Sequence, residues 1–438
     1  MNSVTASGSS PVRSPSVPHD PASATPTVRL IDVADDDELD RYHRIDAAAF
    51  GLPPNAEQLA AKRPLIDAGR WHLAELDGEA CGGTGSFASR LTLPGGATVP
   101  VAAVSDVGVL PTHRRRGVLS ALMRTQLADR RDHGDVAAVL HASEAGIYGR
   151  FGYGTATRWR HVALDRRRST YRPGWPDPGG RVSLVAPADA HGVCAAVHER
   201  RAATTPGGLA RGDAWWGIVF GETPMYLGGG TRRLVVVHHD DDDVPDGYAI
   251  YELTEDWSTG QANHLLEVWE LVGVDQVVEL ALWRVLLDHD LVARVEGPLA
   301  VDHVLRDTLA DPRQLRTELE QDMLWLRLLD PCAALSARTY PGAAAGDTLV
   351  FQVADPLFED LSGGYELTLS AGRGECRRSD ADPDLVLDVA ELGSCVLGGG
   401  SFRRLVRAGR VEERAPGAAA RADRAFAVDP VPWCWVRF

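Results

Sequence analysis

Apolar and polar positions change period several times along the chain, and each change marks an element. Val28-Arg29-Leu30-Ile31 reads as a short strand. From Asp35 to Phe50 the spacing becomes helical. Acidic residues crowd its first turn, and Leu39, Tyr42, Ile45 and Phe50 are the expected core contacts. Trp71 to Leu76 alternates and closes on Asp77-Gly78, a hairpin turn into a second run over Gly83 to Leu93. Pro94-Gly95-Gly96 turns the chain again, into a long strand-like run from Val99 to Val109. Gly117 to Asp132 is predicted helical, Val136 to His141 a short buried strand, and Ser143 onward a short helix.

Tyr171 to Gly180 is dense in proline and glycine and reads as a linker. Beyond it the order partly repeats. Val182–Val185 is strand-like and Ala188–Arg200 helical. Leu234–His238, Gly247–Leu253 and Leu265–Val272 are strand-like, and Asp275–His289 is an amphipathic helix. The Asp240–Asp243 run reads as a solvated loop, because consecutive carboxylates rarely converge on one ion. A third region opens near Leu328, with strands over Leu349–Val353, Tyr365–Leu369 and Leu385–Leu387. Helices near Ser401–Ala408 and Ala418–Ala427 follow, and the chain ends in the apolar run Trp433-Cys434-Trp435-Val436-Arg437-Phe438. The succession predicts an α/β (α+β) protein: two mixed sheets flanked by helices, then a smaller α+β unit.

Length agrees: 438 residues at roughly 150 per domain suggest about three domains. A net charge of −16 and a pI near 5.3 argue against nucleic-acid partners. The sequence contains no apolar run of 18 residues, so no membrane insertion is expected. Residues 1–27 are rich in Ser, Pro, Thr and Ala with no apolar stretch, and are expected to be a disordered tail without a secretory signal. The six cysteines are scattered and form no C-x-x-C pair, so no metal site is expected. They fit reduced thiols in a cytoplasmic protein. Lys62 is the only lysine, so arginine supplies nearly all the positive charge.

The most informative segment is Ser-Asp-Val-Gly-Val-Leu-Pro-Thr-His-Arg-Arg-Arg over Ser105 to Arg116, followed by Gly117-Val118-Leu119. A strand ends, a basic turn follows, and Gly117 opens a helix. A helix N-terminus offers unpaired N–H groups and the positive end of its dipole to a pyrophosphate. Gly117 allows close backbone approach, and Arg114, Arg115 and Arg116 add charge. The preceding strand, through Val107 and Val109, can offer backbone groups to the amides of a pantetheine arm. These features point to a coenzyme A thioester.

Arg114-Arg115-Arg116-Gly117-Val118-Leu119 resembles the Arg/Gln-x-x-Gly-x-Gly/Ala motif of the GNAT superfamily of N-acetyltransferases, with Leu119 in place of the final small residue. The string His141-Ala142-Ser143-Glu144-Ala145-Gly146-Ile147-Tyr148-Gly149-Arg150-Phe151-Gly152-Tyr153, with Pro-Thr-His-Arg-Arg-Arg-Gly, narrows the likeness. It resembles the enhanced intracellular survival family, as do Leu324–Arg327 and Cys332–Arg338. The resemblance spans Val28 to Phe438. It implies a catalytic GNAT domain over 28–172, a degenerate GNAT-like domain over 181–327 and a sterol-carrier-like domain over 328–438, assembled as a homohexamer. It also implies acetyl-CoA as cosubstrate and a small amine acceptor, with no metal.

Amine attack on a thioester needs a base for the ammonium and benefits from an acid for the departing thiolate. Tyr148 is the expected acid, by its phenol and by the resemblance. Ser143 either caps the short helix or touches the cofactor. Glu144 and His141 are base candidates by chemistry. The resemblance instead implies the C-terminal carboxylate of Phe438. Phe50, Glu144 and Arg437 are the expected acceptor-side residues. Arg437 beside the terminal carboxylate, and the absence of a carboxylate in Gly51-Leu52-Pro53-Pro54, argue against highly cationic acceptors. The rival readings are a silent acyl-CoA sensor and a lipid carrier.

Overall fold

The computed structural model describes residues 25–221 and 233–438. Most of the tail expected over residues 1–27 lies outside them, and Thr27 already opens the first strand.

The strands of the first part are β1 (Thr27–Leu30), β2 (Trp71–Leu76), β3 (Glu79–Thr92), β4 (Thr98–Val109), β5 (Ala137–Leu140), β6 (Gly154–Thr155) and β7 (Arg158–Asp165). The next are β8 (Arg181–Val185), β9 (Leu234–His239), β10 (Pro245–Thr254), β11 (His264–Gly273), β12 (Val292–Ala300), β13 (Leu315–Asp322) and β14 (Trp325–Leu328). The last are β15 (Thr348–Ala354), β16 (Gly363–Ser370), β17 (Arg373–Arg378), β18 (Leu385–Asp388) and β19 (Val411–Glu413). They build three mixed sheets, ordered β1-β2-β3-β4-β5-β14-β6, β13-β7-β12-β11-β10-β9-β8 and β17-β16-β15-β18-β19.

The first two sheets exchange a strand. β14, late in the chain, lies between β5 and β6, and β7, early in the chain, lies between β12 and β13. Contiguous boundaries at 172 and 327 therefore do not coincide with the sheets. The exchanged strands lie in the same relative place in both, which marks the two halves as copies of one fold. Sequence patterning misses β6, β7, β12, β13, β14, β17 and β19. β13 is an exposed edge strand reading Leu-Arg-Thr-Glu-Leu-Glu-Gln-Asp, and charge on such an edge hides the alternation of a half-buried strand.

Helix α1 (Asp36–Ala49) starts where Asp35 accepts hydrogen bonds from the N–H groups of Asp37 and Glu38. Leu39, Tyr42 and Ile45 bury as expected, but Phe50 caps the helix end and is 47% exposed, so it is not a core residue. α2 (Ala56–Lys62) follows, and α3 (Val118–Asp132) and α4 (Ala145–Tyr148) flank β5. In the second fold α5 (Pro187–Thr204), α6 (Ala214–Val219) and α7 (Gln276–Leu287) take part.

The third unit docks on the first through β14: Arg327 and Asp355 are both fully buried and bridge at 2.6 Å. Arg124 donates to the Leu357 carbonyl at 2.7 Å. One apolar cluster runs through all three units and takes in Trp433, Cys434, Trp435 and Val436. The final residues have no regular secondary structure, yet Trp433 is 9% and Trp435 6% exposed. Burying each of these indoles contributes about 1.5–3 kcal/mol, enough to keep the end of the chain from fraying.

Candidate active site

β4 and β5 pair in parallel only where Val101, Ala102 and Ala103 meet Ala137, Ala138 and Val139. Beyond that they part, and α3 starts at the mouth of the fork. The cause lies in β4: its register against β3 shifts between Gly83 and Gly85, and Asp106 takes the left-handed region at φ +53°. The resulting groove has a volume of about 600 Å³.

One wall is the turn into α3. Arg115 (φ +62°) and Gly117 (φ +83°) curl the backbone, and Gly117 is the N-cap. No side chain caps this helix, so its first-turn N–H groups are left for a ligand. Gly117, Val118, Leu119 and Ser120 line the groove with Arg114 and Arg115. An uncapped helix start beside two guanidiniums suits a pyrophosphate. The second wall is β4 itself, through Val107, Gly108 and Val109. A side chain at Gly108 would bring its Cβ within 2.8 Å of the Ala49 Cβ, so glycine there lets the end of α1 close on the strand.

The third wall is α4, through Ser143, Glu144, Ile147 and Tyr148, with Arg150 just beyond. Tyr148 is 5% exposed and packs edge-on against Tyr153 at 6.0 Å. Burial, helped by the Glu144 carboxylate, pushes its phenol up to about 12, so it stays protonated at any working pH. Ser143 does not cap α4: Glu144 holds the N-cap position and no side chain bonds the helix start.

Behind the groove, Lys62 pairs with Asp106 and lies 3.8 Å from Asp46, all three side chains being almost fully buried. The only lysine thus sits in a dry carboxylate pair at the root of the β4 bulge.

The structure brings Phe50, Val107, Val109, Arg114, Arg115, Gly117, Val118, Leu119, Ser143, Glu144 and Tyr148 into one groove. Arg116 departs from expectation and turns away to Asp77 at 2.5 Å. Phe438 and Arg437 do not line the groove. The Phe438 ring packs 4.5 Å from His141, which follows β5 directly, and the Arg437 guanidinium lies over Trp159 and Trp269 of the second fold. His141 is not a free base. Its two ring nitrogens each lie 3.0 Å from a carbonyl oxygen, of Met323 and of Val436. Ala49, Gly108, His113, Ser120, Ile147 and Arg150 also line the groove. Ser120 is signalled in the sequence only by adjacency to the first motif, and Arg150 only by lying within the second string. Nothing signals Ala49.

In the second fold the corresponding fork is β11 with β12, and α7 is the corresponding helix. Here the N-cap is Asp275, whose carboxylate accepts from Val277 N–H at 2.8 Å and Val278 N–H at 3.0 Å. Those amides are taken, and a fixed negative charge stands where a phosphate would approach. Among the described residues no cluster of His, Cys, Asp and Glu could hold a metal ion. Asp240 caps its own turn by accepting from Asp242 and Val244 N–H.

Comparison with known proteins agrees with this geometry. Residues 31–156 and 207–328 each match an acetyltransferase (GNAT) domain, and residues 331–435 match a sterol carrier protein domain. Over 343 residues the chain is 36% identical to the N-acetyltransferase Eis of Mycobacterium tuberculosis, covering 78% of this chain and 81% of that one. The chain belongs to the Eis family of GNAT N-acetyltransferases. An uncharacterized N-acetyltransferase of Streptomyces coelicolor is 39% identical to this Eis-family chain over 409 residues, 91% of this chain and 96% of the relative. The crystal structure of Eis1 from Mycobacterium abscessus matches with a TM-score of 0.81 at 35% identity, covering 94% of this chain and 100% of Eis1. A GCN5-related N-acetyltransferase from Anabaena variabilis shares the fold, with a TM-score of 0.80 at 19% identity over 94% of this chain and 100% of that one. The Eis-family chain is therefore an acyltransferase that uses a coenzyme A thioester and an acceptor.

Proposed function

We propose that the protein transfers the acetyl group of acetyl-CoA directly to a primary amine of a small molecule or a lysine side chain. Arg114, Arg115 and the amides from Gly117 to Leu119 hold the pyrophosphate, and Val107 and Val109 pair with the pantetheine arm. The thioester supplies an activated acyl carbon. The terminal carboxylate of Phe438 takes the proton of the acceptor ammonium. The amine nitrogen then bonds the acyl carbon as the C–S bond breaks, the Tyr148 phenol gives its proton to the thiolate, and the second proton shed by the nitrogen as the amide forms restores the Tyr148 phenol. Phe50 and Glu144 border the acceptor, whereas the expected acceptor-side role of Arg437 is not kept, because its guanidinium is taken up by Trp159 and Trp269.

The observation that carries this reading is that a buried, protonated Tyr148 shares one groove with an uncapped helix N-terminus. The same reading includes a cytoplasmic homohexamer, whose mass light scattering measures.

The test is thiol release from acetyl-CoA across a panel of amines, with Tyr148→Phe and a chain lacking Phe438. General acid–base groups contribute about 10²–10⁴-fold, so each variant is expected to lose at least about 100-fold in kcat while still binding acetyl-CoA. Wild-type turnover by both variants would overturn the assignment.

A further inference from the structure

The last parallel pair between β11 and β12 is Glu267 with Glu296. Beyond it Trp269, Glu270 and Leu271 stand on one side of a fork and Pro298 on the other. In the first fold the equivalent fork opens the cofactor groove. In the second it holds the end of the chain, for Trp433, Trp435 and Arg437 line this same recess.

The contacts are specific. The Arg437 guanidinium lies 5.1 Å from the Trp159 ring centre and 5.8 Å from that of Trp269. Trp435 Nε1–H donates to His198 Nδ1 at 3.0 Å, and His198 Nε2 lies 3.0 Å from the Leu209 carbonyl. One neutral tautomer satisfies both bonds, and burial, reinforced by Arg211, pushes the His198 pKa down to about 4 and keeps it neutral. Trp433 N–H donates to the Pro206 carbonyl at 2.9 Å. Residues 433, 435 and 437 thus face the second fold. The next side chain turns the other way: Phe438 packs on His141 in the first fold.

We infer that the strand fork of the second fold is a receptor for the chain's own C-terminus, with His198, Trp159 and Trp269 as positioning residues for the terminal carboxylate. The inference rests on the proposed role of Phe438 as base. A base must be held to within a fraction of an ångström of its working place, and past the Trp433–Pro206 backbone bond a terminus without helix or strand is held by side-chain anchors. A second acetyltransferase fold that has lost its phosphate site keeps a use: it fixes the base that its twin employs.

The experiment compares Trp269→Leu, Trp269→Phe, Trp435→Phe and the chain lacking Phe438, each checked by melting temperature and by calorimetry with acetyl-CoA. Trp269→Leu removes the aromatic face under Arg437, and Trp435→Phe removes one N–H. Both are expected to lower kcat at least tenfold, to leave acetyl-CoA affinity within twofold, and to shift the acidic limb of the pH–rate profile. Trp269→Phe, which keeps an aromatic face, should recover most of the rate. Wild-type rates in Trp269→Leu and Trp435→Phe, with the chain lacking Phe438 inactive, would overturn the positioning role and leave the base intact. Full turnover without Phe438 would instead overturn the base itself. Loss of acetyl-CoA binding in step with kcat would make these residues merely structural and also overturn the inference.

Discussion

Gly117 and Asp275 occupy the same N-cap place in the two folds, one with no side chain and the other with a carboxylate bonded to two amides. This single difference separates a helix start that accepts phosphate from one that is already satisfied. Gly117→Asp is therefore expected to raise the KM for acetyl-CoA at least tenfold, about 1.4 kcal/mol. Left-handed strain for a non-glycine residue adds roughly 1 kcal/mol of destabilisation. Steady-state kinetics with varied acetyl-CoA checks it, and an unchanged KM would remove α3 from cofactor binding.

Lys62 neutralises two buried carboxylates, and an ion pair broken in a dry site costs about 3–5 kcal/mol. Lys62→Met is expected to lose that much stability by urea unfolding, because Asp46 and Asp106 then face each other without the ammonium. Pairing the substitution with Asp106→Asn should restore a good part of the loss.

His72 and His198 both have pKa values pushed down to about 4, chiefly by burial. In the unfolded chain each titrates near 6.5. As pH falls through the window between those values the unfolded chain binds protons that the folded chain refuses, so stability falls. The slope approaches about 1.4 kcal/mol per pH unit for each histidine. Unfolding at pH 7 and pH 5 should differ in this direction, and His198→Gln should flatten the dependence.

With the Tyr148 phenol held near 12, no alkaline limb from this group is expected in kcat between pH 6 and pH 10. An alkaline limb present in the wild type and absent in Tyr148→Phe would contradict the assigned proton state.

The cofactor groove is largely legible in the sequence because its chemistry is local. The turn from Arg114 to Leu119 and the string from Ser143 to Tyr148 each lie within a few residues, and backbone geometry brings both to one fork. Arg116 escapes that reading because a charged residue in a turn can face either way, and Asp77 on the neighbouring hairpin decides which. Phe50 is apolar at helical spacing and looks like core, but it falls one residue past the helix and stays exposed. The strand exchange is invisible, since pairing between β5 and β14 is set by tertiary packing and not by any pattern within either strand. The anchors of the tail are hidden for the same reason: His198 and Trp435 are 237 positions apart.

The exchanged strands also bear on how such a chain can be dissected or can arise. A fragment ending near residue 172 would carry β7 with no sheet to join and would leave a gap between β5 and β6 where β14 belongs. Neither half is a separable module, so fusing or swapping acetyltransferase domains at that linker would yield misfolded products, whereas exchange of the whole paired block would preserve both sheets.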